Sequence, residues 1–520
     1  MGSKLPELPK LSPENHRWEK SNVDPRVLQR PGIGSEAIVG LERSNRRGQY
    51  DLYLLATLRT AHVSTSTPLS LLYLKEKLEV ALLVQRFEHP ECACTVTWDD
   101  QVPPIIQYAS PQDDEEALMC PKSSAHIRTT SQTGFDVRYE IEGKRQDLDQ
   151  DNMEPSRPIV IYLISNVTNG DAQLTSGATV DVLLHMNHLF WDGISARMFT
   201  GDLFRELNKL IISNEQEPPK LQWGTEASNL SVPVLDALKI NIEELRDEFD
   251  AASNQFVKAL YENYVSWGLE FKSGLGLPRT DIHTFTAAES KAIINGVKTR
   301  LGPQYTISHL AQAAVVIAML EIIQPHNLTD KDSFCSPMPV HGRRWLKDEL
   351  ADNHYSICET GAVIRIENIK SLVLNNDNDD KDTIIGAIKR ACEDVKKSFD
   401  QWLSNPYQLA LGLAVHTLEA SFLTAMPMPF DKVAAPFFIS DGRNEQFIPA
   451  SITTTTGEIL MTIDNFVFFL NQCLPYLAIR LESWKDASTL SVCYNEANYS
   501  GEEATKFLKC VAEYMLIFSQ

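Results

Sequence analysis

The residues best suited to carry out catalysis form the hexapeptide HLFWDG, from His188 to Gly193. A histidine stands four residues before an aspartate, and a glycine follows the aspartate directly. An imidazole that is neutral near pH 7 can accept the proton of an alcohol while the alcohol oxygen attacks an electrophile. The spacing therefore predicts general-base catalysis on a hydroxyl group, with His188 as the catalytic base.

Two secondary-structure elements must position this hexapeptide. The apolar segment from Thr179 to Asn187 predicts a strand, and the amphipathic segment after Gly193 predicts a helix. Asp192 lies at the junction, where an ion pair with a distant arginine or bonds to backbone amides would give it a structural role. The alternative is that Asp192 itself acts as a base or a ligand. We expect Gly193 to allow a backbone conformation or a close approach that a Cβ would block.

The two aromatic residues inside the hexapeptide, Phe190 and Trp191, have two interpretations. They pack in the core, or they line a tunnel that receives an apolar substrate.

A metal site is another possibility for this region, because His185, His188 and Asp192 form an HxxHxxxD pattern. Strand positions three apart point to opposite faces. The two histidines should therefore diverge, and the sequence predicts no metal.

A second cluster lies between Pro337 and Leu346 and contains Arg343 and Arg344. These arginines could bind the phosphates of a cofactor, or one of them could pair with Asp192. The alternative is a solvated basic turn. The sequence leaves these possibilities open.

A third cluster lies between Ile439 and Pro449, where an apolar strand is predicted to break at Ser440, Asp441 and Gly442. One interpretation is a surface turn. The other is a loop that closes over an acyl substrate, with backbone N–H groups or the Ser440 hydroxyl close to a developing oxyanion. The sequence contains no GxGxxG dinucleotide motif, phosphate-binding P-loop, GxSxG nucleophile elbow or HExxH zinc motif.

The composition is that of a globular enzyme. The 520 residues include 43 % hydrophobic and 22 % charged residues, and the formal net charge is −21. That charge argues against nucleic acid and anionic membrane surfaces as partners, but it permits a local basic pocket for a polyanionic co-substrate. Nine scattered cysteines, with no CxxC, indicate a reduced protein. With no apolar leader and no apolar run long enough to span a bilayer, we expect a cytoplasmic monomer.

Strand and helix patterns alternate along the chain and predict the α/β class. The expected division is an N-terminal lobe over 1–220, a crossover with a helical insert over 221–280, and a C-terminal lobe over 281–520. Within this division, the segment 111–124 reads as a polar excursion, and 235–267 reads as one long helical pattern.

HLFWDG, the Ser-Asp-Gly segment and the region from Ser491 to Tyr514 resemble the chloramphenicol acetyltransferase-like superfamily of acyltransferases and condensation domains. The match looks closer to the fungal trichothecene O-acetyltransferases, in particular those acting at the 15-hydroxyl. The resemblance implies two α/β lobes with a tunnel between them, acetyl-CoA as co-substrate and a trichothecene alcohol as acceptor. It further implies His188 as the base and Asp192 as a structural carboxylate paired with Arg343 or Arg344.

Two departures from the superfamily patterns limit this resemblance. The DFGWG motif of the plant-type enzymes is absent, and Asn187 replaces the first histidine of the condensation-domain HHxxxDG. Two alternative functions follow. One is transfer from a carrier-protein thioester, which the lack of an appended carrier-like domain disfavours. The other is a catalytically silent binding protein of the same fold.

Overall fold

The computed structural model describes most of the chain. The described residues are 7–39, 51–61, 69–97, 103–147, 157–213, 220–242, 244, 247–263, 266–274, 276–322, 332–374, 380–423, 433–454 and 456–520. Within them strands and helices alternate over much of the length, which confirms the predicted mixed α/β class. Among these residues, no helix is long and apolar enough to cross a membrane.

The described strands are short to medium in length, and most of them belong to one six-stranded sheet and two four-stranded sheets. In chain order they are β1 (Glu19–Lys20), β2 (Val27–Pro31), β3 (Leu52–Thr60), β4 (Thr95–Thr97), β5 (Ile105–Ala109), β6 (Ala125–Thr129), β7 (Ile159–Ser165), β8 (Thr179–Met186), β9 (Leu269–Glu270), β10 (Pro278–Thr284), β11 (Ser333–His341), β12 (Glu359–Glu367), β13 (Val433–Ala434), β14 (Phe437–Arg443), β15 (Ser451–Thr453), β16 (Ile459–Leu470), β17 (Ala478–Trp484) and β18 (Ala487–Asn495). One of the four-stranded sheets has the order β1-β2-β5-β4.

The described helices range from single turns to more than six turns. In chain order they are α1 (Ser35–Val39), α2 (Leu71–Glu88), α3 (Asp114–Ser124), α4 (Gly134–Asp147), α5 (Gly193–Ser213), α6 (Val234–Ala237), α7 (Asp247–Asn263), α8 (Ala287–Leu301), α9 (Ile307–Ile322), α10 (Asp348–Ala351), α11 (Lys381–Leu403), α12 (Gln408–Leu423) and α13 (Gly501–Ser519).

The strand that leads into the hexapeptide, β8, lies inside a six-stranded sheet of order β15-β16-β3-β8-β7-β6. All neighbours in this sheet are antiparallel except β6 and β7. Strands β15 and β16 come from the segment 281–520, which the sequence assigns to the C-terminal lobe. That segment therefore completes the sheet that carries the motif, and the division at 220 and 280 stays a proposal.

A second sheet, of order β10-β18-β17-β14, contains the Ser-Asp-Gly segment in its edge strand β14. Strand β14 runs parallel to β17, and the other neighbours are antiparallel. Helix α9 packs beside this sheet and is buried on nearly every face, from His309 to Leu320. Its sequence is apolar all round, as expected for a helix inside a core.

Two sequence predictions of secondary structure were wrong. The supposed polar excursion over 111–124 contains α3, which begins because the Asp113 side chain accepts a hydrogen bond from the Glu116 N–H at 2.9 Å. The supposed long helix over 235–267 is interrupted between α6 and α7. There, Lys239 donates its N–H to the Trp345 carbonyl at 2.9 Å, so the backbone pairs with a distant segment instead of continuing a helix.

Candidate active site

The hexapeptide occupies a tight turn between β8 and α5, as the sequence predicts. Strand β8 ends at Met186, and α5 begins at Gly193. Asn187 shapes the turn, because its side-chain oxygen accepts the Leu189 N–H at 2.9 Å and its carbonyl accepts the Phe190 N–H at 3.0 Å. This Asx turn places His188 at the end of a central strand.

His188 is nearly enclosed, with 9 % of its surface exposed. Its Nδ1 atom is buried and has no hydrogen-bond partner among the residues that the structure describes. A buried ring nitrogen without a partner costs free energy, unless water or a ligand satisfies it. The imidazole therefore has unused hydrogen-bonding capacity in an enclosed setting.

Asp192 caps the helix that follows the motif. Its Oδ1 atom accepts the N–H groups of Ile194 at 2.9 Å and Ser195 at 2.7 Å. The Ser195 hydroxyl in turn accepts the Asp192 N–H at 2.9 Å, so the two residues cap each other. These bonds satisfy donors that the first turn of α5 would otherwise leave unpaired.

The second carboxylate oxygen of Asp192 holds the far side of the site. Its Oδ2 atom accepts Nη1 of Arg343 at 2.8 Å and the Cys358 N–H at 2.7 Å. Both partners of the ion pair are 3 % exposed. Burial alone would raise the pKa of the Asp192 carboxyl, but the charge of Arg343 and the Ser195 N–H bond outweigh burial and hold it well below its usual range.

Arg343 and Arg344 separate into an interior and a surface residue. Arg343 is buried, and its other two nitrogens donate to the carbonyls of His354 at 2.8 Å and Ser356 at 3.2 Å. All three of its guanidinium nitrogens thus bind protein groups, and Arg343 is the partner of Asp192. Arg344 is exposed and lies over the Trp345 ring. The predicted phosphate contact stays a prediction, and only Arg344 is free to make it.

Phe190 and Trp191 lie in the core around β8 and α5. Trp191 is fully buried, contacts Phe199 at a centroid distance of 4.8 Å and donates its indole N–H to the Pro158 carbonyl at 2.9 Å. Phe190 is 4 % exposed. Both rings therefore form a packed wall behind the motif, and contact between either ring and an acceptor stays a prediction.

The steric role predicted for Gly193 finds no support in its protein contacts and stays a prediction. A Cβ at this position would lie 3.4 Å from Nη1 of Arg197 and 3.5 Å from the Phe468 ring, which is ordinary contact. Residue 193 is the first residue of α5 and has no left-handed backbone conformation. What the structure does show is a contact of its carbonyl, which accepts Nη1 of Arg197 at 2.7 Å.

The Ser-Asp-Gly segment does not break β14 as predicted, because the strand passes through it in a β-bulge. The register with β17 shifts between Ser440 and Gly442, and Gly442 has a φ of 79°. Asp441 accepts two bonds from Arg480, at 2.9 and 2.7 Å. Ser440 is exposed, and its hydroxyl lies 2.7 Å from that of Ser308. A role for Ser440 and Gly442 at the oxyanion stays a prediction.

The two histidines of the HxxHxxxD pattern diverge, as the strand geometry predicts. His185 points to the other face of β8, where Nε2 lies 2.7 Å from Oδ2 of Asp51 and 3.1 Å from Nη1 of Arg145. The described residues contain no group of three or more His, Cys, Asp or Glu side chains that could hold a metal ion.

Sequence reasoning missed a buried polar cluster beside the motif, centred on Arg197. Arg197 lies one turn into α5 and is fully buried. The available signal was an arginine on the apolar face of an amphipathic helix, next to Ala196 and Phe199. Such a residue almost never becomes buried without a charged partner. Its partners, Asp441 and Glu482, are too distant in sequence to be recognised by spacing.

Comparison with known protein families assigns the chain to one of them. The family model described as 15-O-acetyltransferase Tri3 matches residues 8–420. The chain belongs to the Tri3 family of 15-O-acetyltransferases. The matched region includes the hexapeptide and both arginines of the second cluster, whereas β14 to β18 lie beyond it.

Individual relatives agree with this assignment. The chain is 92 % identical over 520 residues, the full length of both chains, to the trichothecene O-acetyltransferase TRI3 of Trichoderma arundinaceum. The solved structure of TRI3 trichothecene 15-O-acetyltransferase from Fusarium sporotrichioides is 48 % identical, covers 98 % of this chain and 99 % of its own, and has a TM-score of 0.93.

More distant structures share only the fold. The first condensation domain of the calcium-dependent antibiotic synthetase covers 94 % of this chain and 95 % of its own, with a TM-score of 0.58 at 12 % identity. This likeness confirms the predicted relation to condensation-domain folds. A tunnel between two lobes stays a prediction.

Proposed function

We propose that this protein transfers the acetyl group of acetyl-CoA to the 15-hydroxyl of a trichothecene, with His188 as general base. The identity of 92 % over the whole chain to a trichothecene O-acetyltransferase carries the proposal for the reaction. The place of His188 in the HxxxDG motif, directly after the central strand β8 and with 9 % of its surface exposed, supports the assignment of the base. A cytoplasmic location and a monomeric state of the protein remain predictions from its sequence.

The proposed reaction has one addition and one elimination. His188 accepts the proton of the acceptor hydroxyl while that oxygen forms a bond to the thioester carbonyl carbon. The carbon–sulfur bond then breaks, the acetyl ester is released, and the proton returns from His188 to the thiolate of coenzyme A. Asp192 takes no proton in this scheme, because both its oxygens are bound by Arg343 and by backbone N–H groups.

Negative charge on the thioester oxygen must be stabilised during this reaction. We place that oxygen near the bulged part of β14, where the Ser440 hydroxyl is exposed and Gly442 leaves the backbone accessible. Arg344, which is exposed, is the proposed contact for a coenzyme A phosphate. Phe190 and Trp191 back the motif with an apolar wall, which suits an apolar acceptor.

The experiment that tests this function measures free thiol released from acetyl-CoA, with and without a trichothecene that carries a free 15-hydroxyl. The control acceptor is the same trichothecene already acetylated at that position. Thiol release only with the free 15-hydroxyl, together with a product 42 Da heavier, roughly the mass of one acetyl group replacing a proton, is expected. Thiol release only with other alcohols would overturn the proposal that the trichothecene 15-hydroxyl is the acceptor. No release with any acyl-CoA would favour carrier-bound donors or a silent binding protein.

A further inference from the structure

Arg197 connects the hexapeptide to a segment far away in the sequence. It is fully buried, and Nη1 donates to the Gly193 carbonyl at 2.7 Å. Its Nε donates to Oδ1 of Asn444 at 2.8 Å, directly after the end of β14. One guanidinium group therefore contacts both the end of the HxxxDG motif and the turn that follows the Ser-Asp-Gly bulge.

Two carboxylates and a second arginine complete the cluster. Nη2 of Arg197 lies 3.1 Å from Oδ1 of Asp441 and 3.7 Å from Oε2 of Glu482. Arg480 binds Asp441 through Nε at 2.9 Å and Nη2 at 2.7 Å. With both carboxylates ionised, the two positive and two negative charges balance. All four side chains are nearly or fully enclosed.

A phenylalanine from the six-stranded sheet lies inside this cluster. The Phe468 ring centroid is 4.0 Å from Cζ of Arg197 and 4.4 Å from Cζ of Arg480. The Phe468 N–H donates to Oε1 of Glu482 at 3.0 Å. Phe468 belongs to β16, whereas Asp441 and Glu482 belong to β14 and β17 of the second sheet. The cluster thus fixes the two sheets and α5 to one another.

Stability alone does not account for these charges. Desolvation of buried ions offsets much or all of their mutual attraction, and apolar residues of similar volume often stabilise a core at least as well. A planar guanidinium with several fixed donors does, however, define the relative positions of the groups that it binds. The cluster is therefore better suited to fixing geometry than to adding stability.

We propose that Arg197 is a positioning residue for acetyl transfer, which holds the HxxxDG turn in register with the Ser440–Gly442 bulge. This inference rests on the proposed function, because it assumes that His188 and the bulge act on the same reaction. Arg197 touches no reacting atom in this account. It acts by holding the Gly193 carbonyl and the Asn444 side chain through hydrogen bonds from one rigid group, with Asp441 within ion-pair distance. A displacement of about 1 Å between reacting groups can cost on the order of 100-fold in rate.

The test compares Arg197→Met with a matched control, Arg138→Met. Arg138 is also fully buried, and its Nη1 and Nη2 each bind a side chain at 2.9 Å, Thr280 and Asn471 respectively. It packs over Phe469, the neighbour of Phe468 on the opposite face of β16. The two variants therefore remove equivalent buried arginines from the two faces of one strand, and only one face carries the hexapeptide.

The expected result separates catalysis from stability. Both variants should lose thermal stability, so kinetics are measured at a temperature where circular dichroism shows both to be folded. Arg197→Met should then lose roughly 10- to 100-fold in kcat, with KM for acetyl-CoA and for the acceptor within about threefold of wild type. Arg138→Met should keep kcat within about threefold. Arg197→Lys keeps the positive charge but lacks the planar guanidinium group, and it should retain more of the wild-type kcat than Arg197→Met.

Equal kcat values in the two methionine variants would overturn the inference, and so would a change confined to KM. Amide hydrogen exchange, followed by mass spectrometry, tests the inference without activity. Exchange should rise at residues 192–196 and 440–444 together in Arg197→Met, and at neither segment in Arg138→Met. A wild-type protein that shows no acetyl transfer would refute the proposed function. If exchange in Arg197→Met did not rise at both segments together, the positioning role would be refuted independently of the proposed function.

Discussion

The contacts of Asp192 are consistent with a structural carboxylate that leaves proton transfer to His188, the proposed base. Its two oxygens accept bonds from the N–H groups of Ser195 and Cys358 and from Arg343. These bonds join the start of α5 to the turn after β11 and to the residue before β12, so Asp192 fixes the chain around His188. The carboxylate has a depressed pKa and stays ionised, which makes it a poor base at neutral pH.

Replacing Asp192 with asparagine should therefore lower both stability and activity. The variant leaves the buried Arg343 without a counter-ion, which typically costs about 3–5 kcal/mol in the free energy of unfolding. Asp464→Asn is the control, because its ion pair with Arg59 is exposed and should contribute less than about 1 kcal/mol. Urea unfolding at pH 7 measures both. An unchanged free energy of unfolding with lost activity would instead assign direct chemistry to Asp192.

The pH dependence of this effect has a defined direction. The folded-state pKa of Asp192 lies well below the value of about 3.9 expected in an unfolded chain. Its stabilising contribution is complete above that unfolded value and disappears as the pH falls toward the folded one. The difference in stability between wild type and Asp192→Asn should accordingly be constant from pH 7 to pH 5.

Glu482 should give the opposite pH dependence. Burial raises its pKa to about 7, with Arg197 acting to lower it and Asp441 to raise it. The folded protein then keeps a proton that the unfolded chain loses above about pH 4.3, so stability should fall as the pH rises from there to 7, by roughly 1–3 kcal/mol. Glu482→Gln, which cannot ionise, should lack this decline. Parallel stability curves for the two proteins between pH 5 and 7 would contradict the assignment.

At the scale of elements, α5 places one face against the turn that follows β14. Residues 193, 197, 201 and 205 lie on this face at intervals of one helical turn. Arg197 binds Asn444 on that turn, and Arg205 donates to the Phe447 carbonyl at 2.8 Å. Because Gly193 is both the last residue of the hexapeptide and the first residue of α5, the helix fixes the hexapeptide relative to this turn.

This close approach predicts the outcome of a glycine substitution in α5. A Cβ at Gly201 would overlap the Phe447 carbonyl, so Gly201→Ala should destabilise the protein by roughly 1–3 kcal/mol through overpacking. Gly386→Ala in α11 is the control, since its nearest neighbour would be Nη1 of Arg390 at 3.6 Å. There, better helix propensity should stabilise the protein by about 0.5–1 kcal/mol. Thermal unfolding of both variants checks the pair, and a stabilised Gly201→Ala would contradict the packing.

The elements that surround the hexapeptide could be predicted from sequence, because their signals are local. An apolar run predicts β8, and an amphipathic pattern predicts α5. Helix α3 escaped prediction because its first turn is acidic and polar, and only the Asp113 cap reveals its start. The break between α6 and α7 depends on pairing with residues near Trp345, which no local pattern contains.

At the scale of the whole molecule, the site is assembled from parts that the sequence separates widely. Arg343 reaches Asp192 from 151 residues away, and Arg197 reaches Asn444 across 247. The resemblance to acyltransferases predicted that an arginine would pair with Asp192, but spacing alone could not choose between Arg343 and Arg344. The cluster around Arg197 had no counterpart in the motifs used, so its partners emerged only from the fold.

The sheet that contains β8 depends on the same long-range assembly. Strand β16 pairs with β3 along nine residues, so the last third of the chain supplies a neighbour to the first. Phe468 on that strand lies in the charged cluster beside the hexapeptide. Acetyl transfer by this protein should consequently require the integrity of both sheets.

The measurement that tests the central claim most directly is the turnover of His188→Ala. Acceptor-dependent thiol release from acetyl-CoA is compared among wild type, His188→Ala and the control His126→Ala, an exposed histidine on β6 of the same sheet. Loss of the base should lower kcat by roughly 10²–10⁴-fold while the protein stays folded, and His126→Ala should match wild type. A folded His188→Ala that retains wild-type turnover would contradict the account.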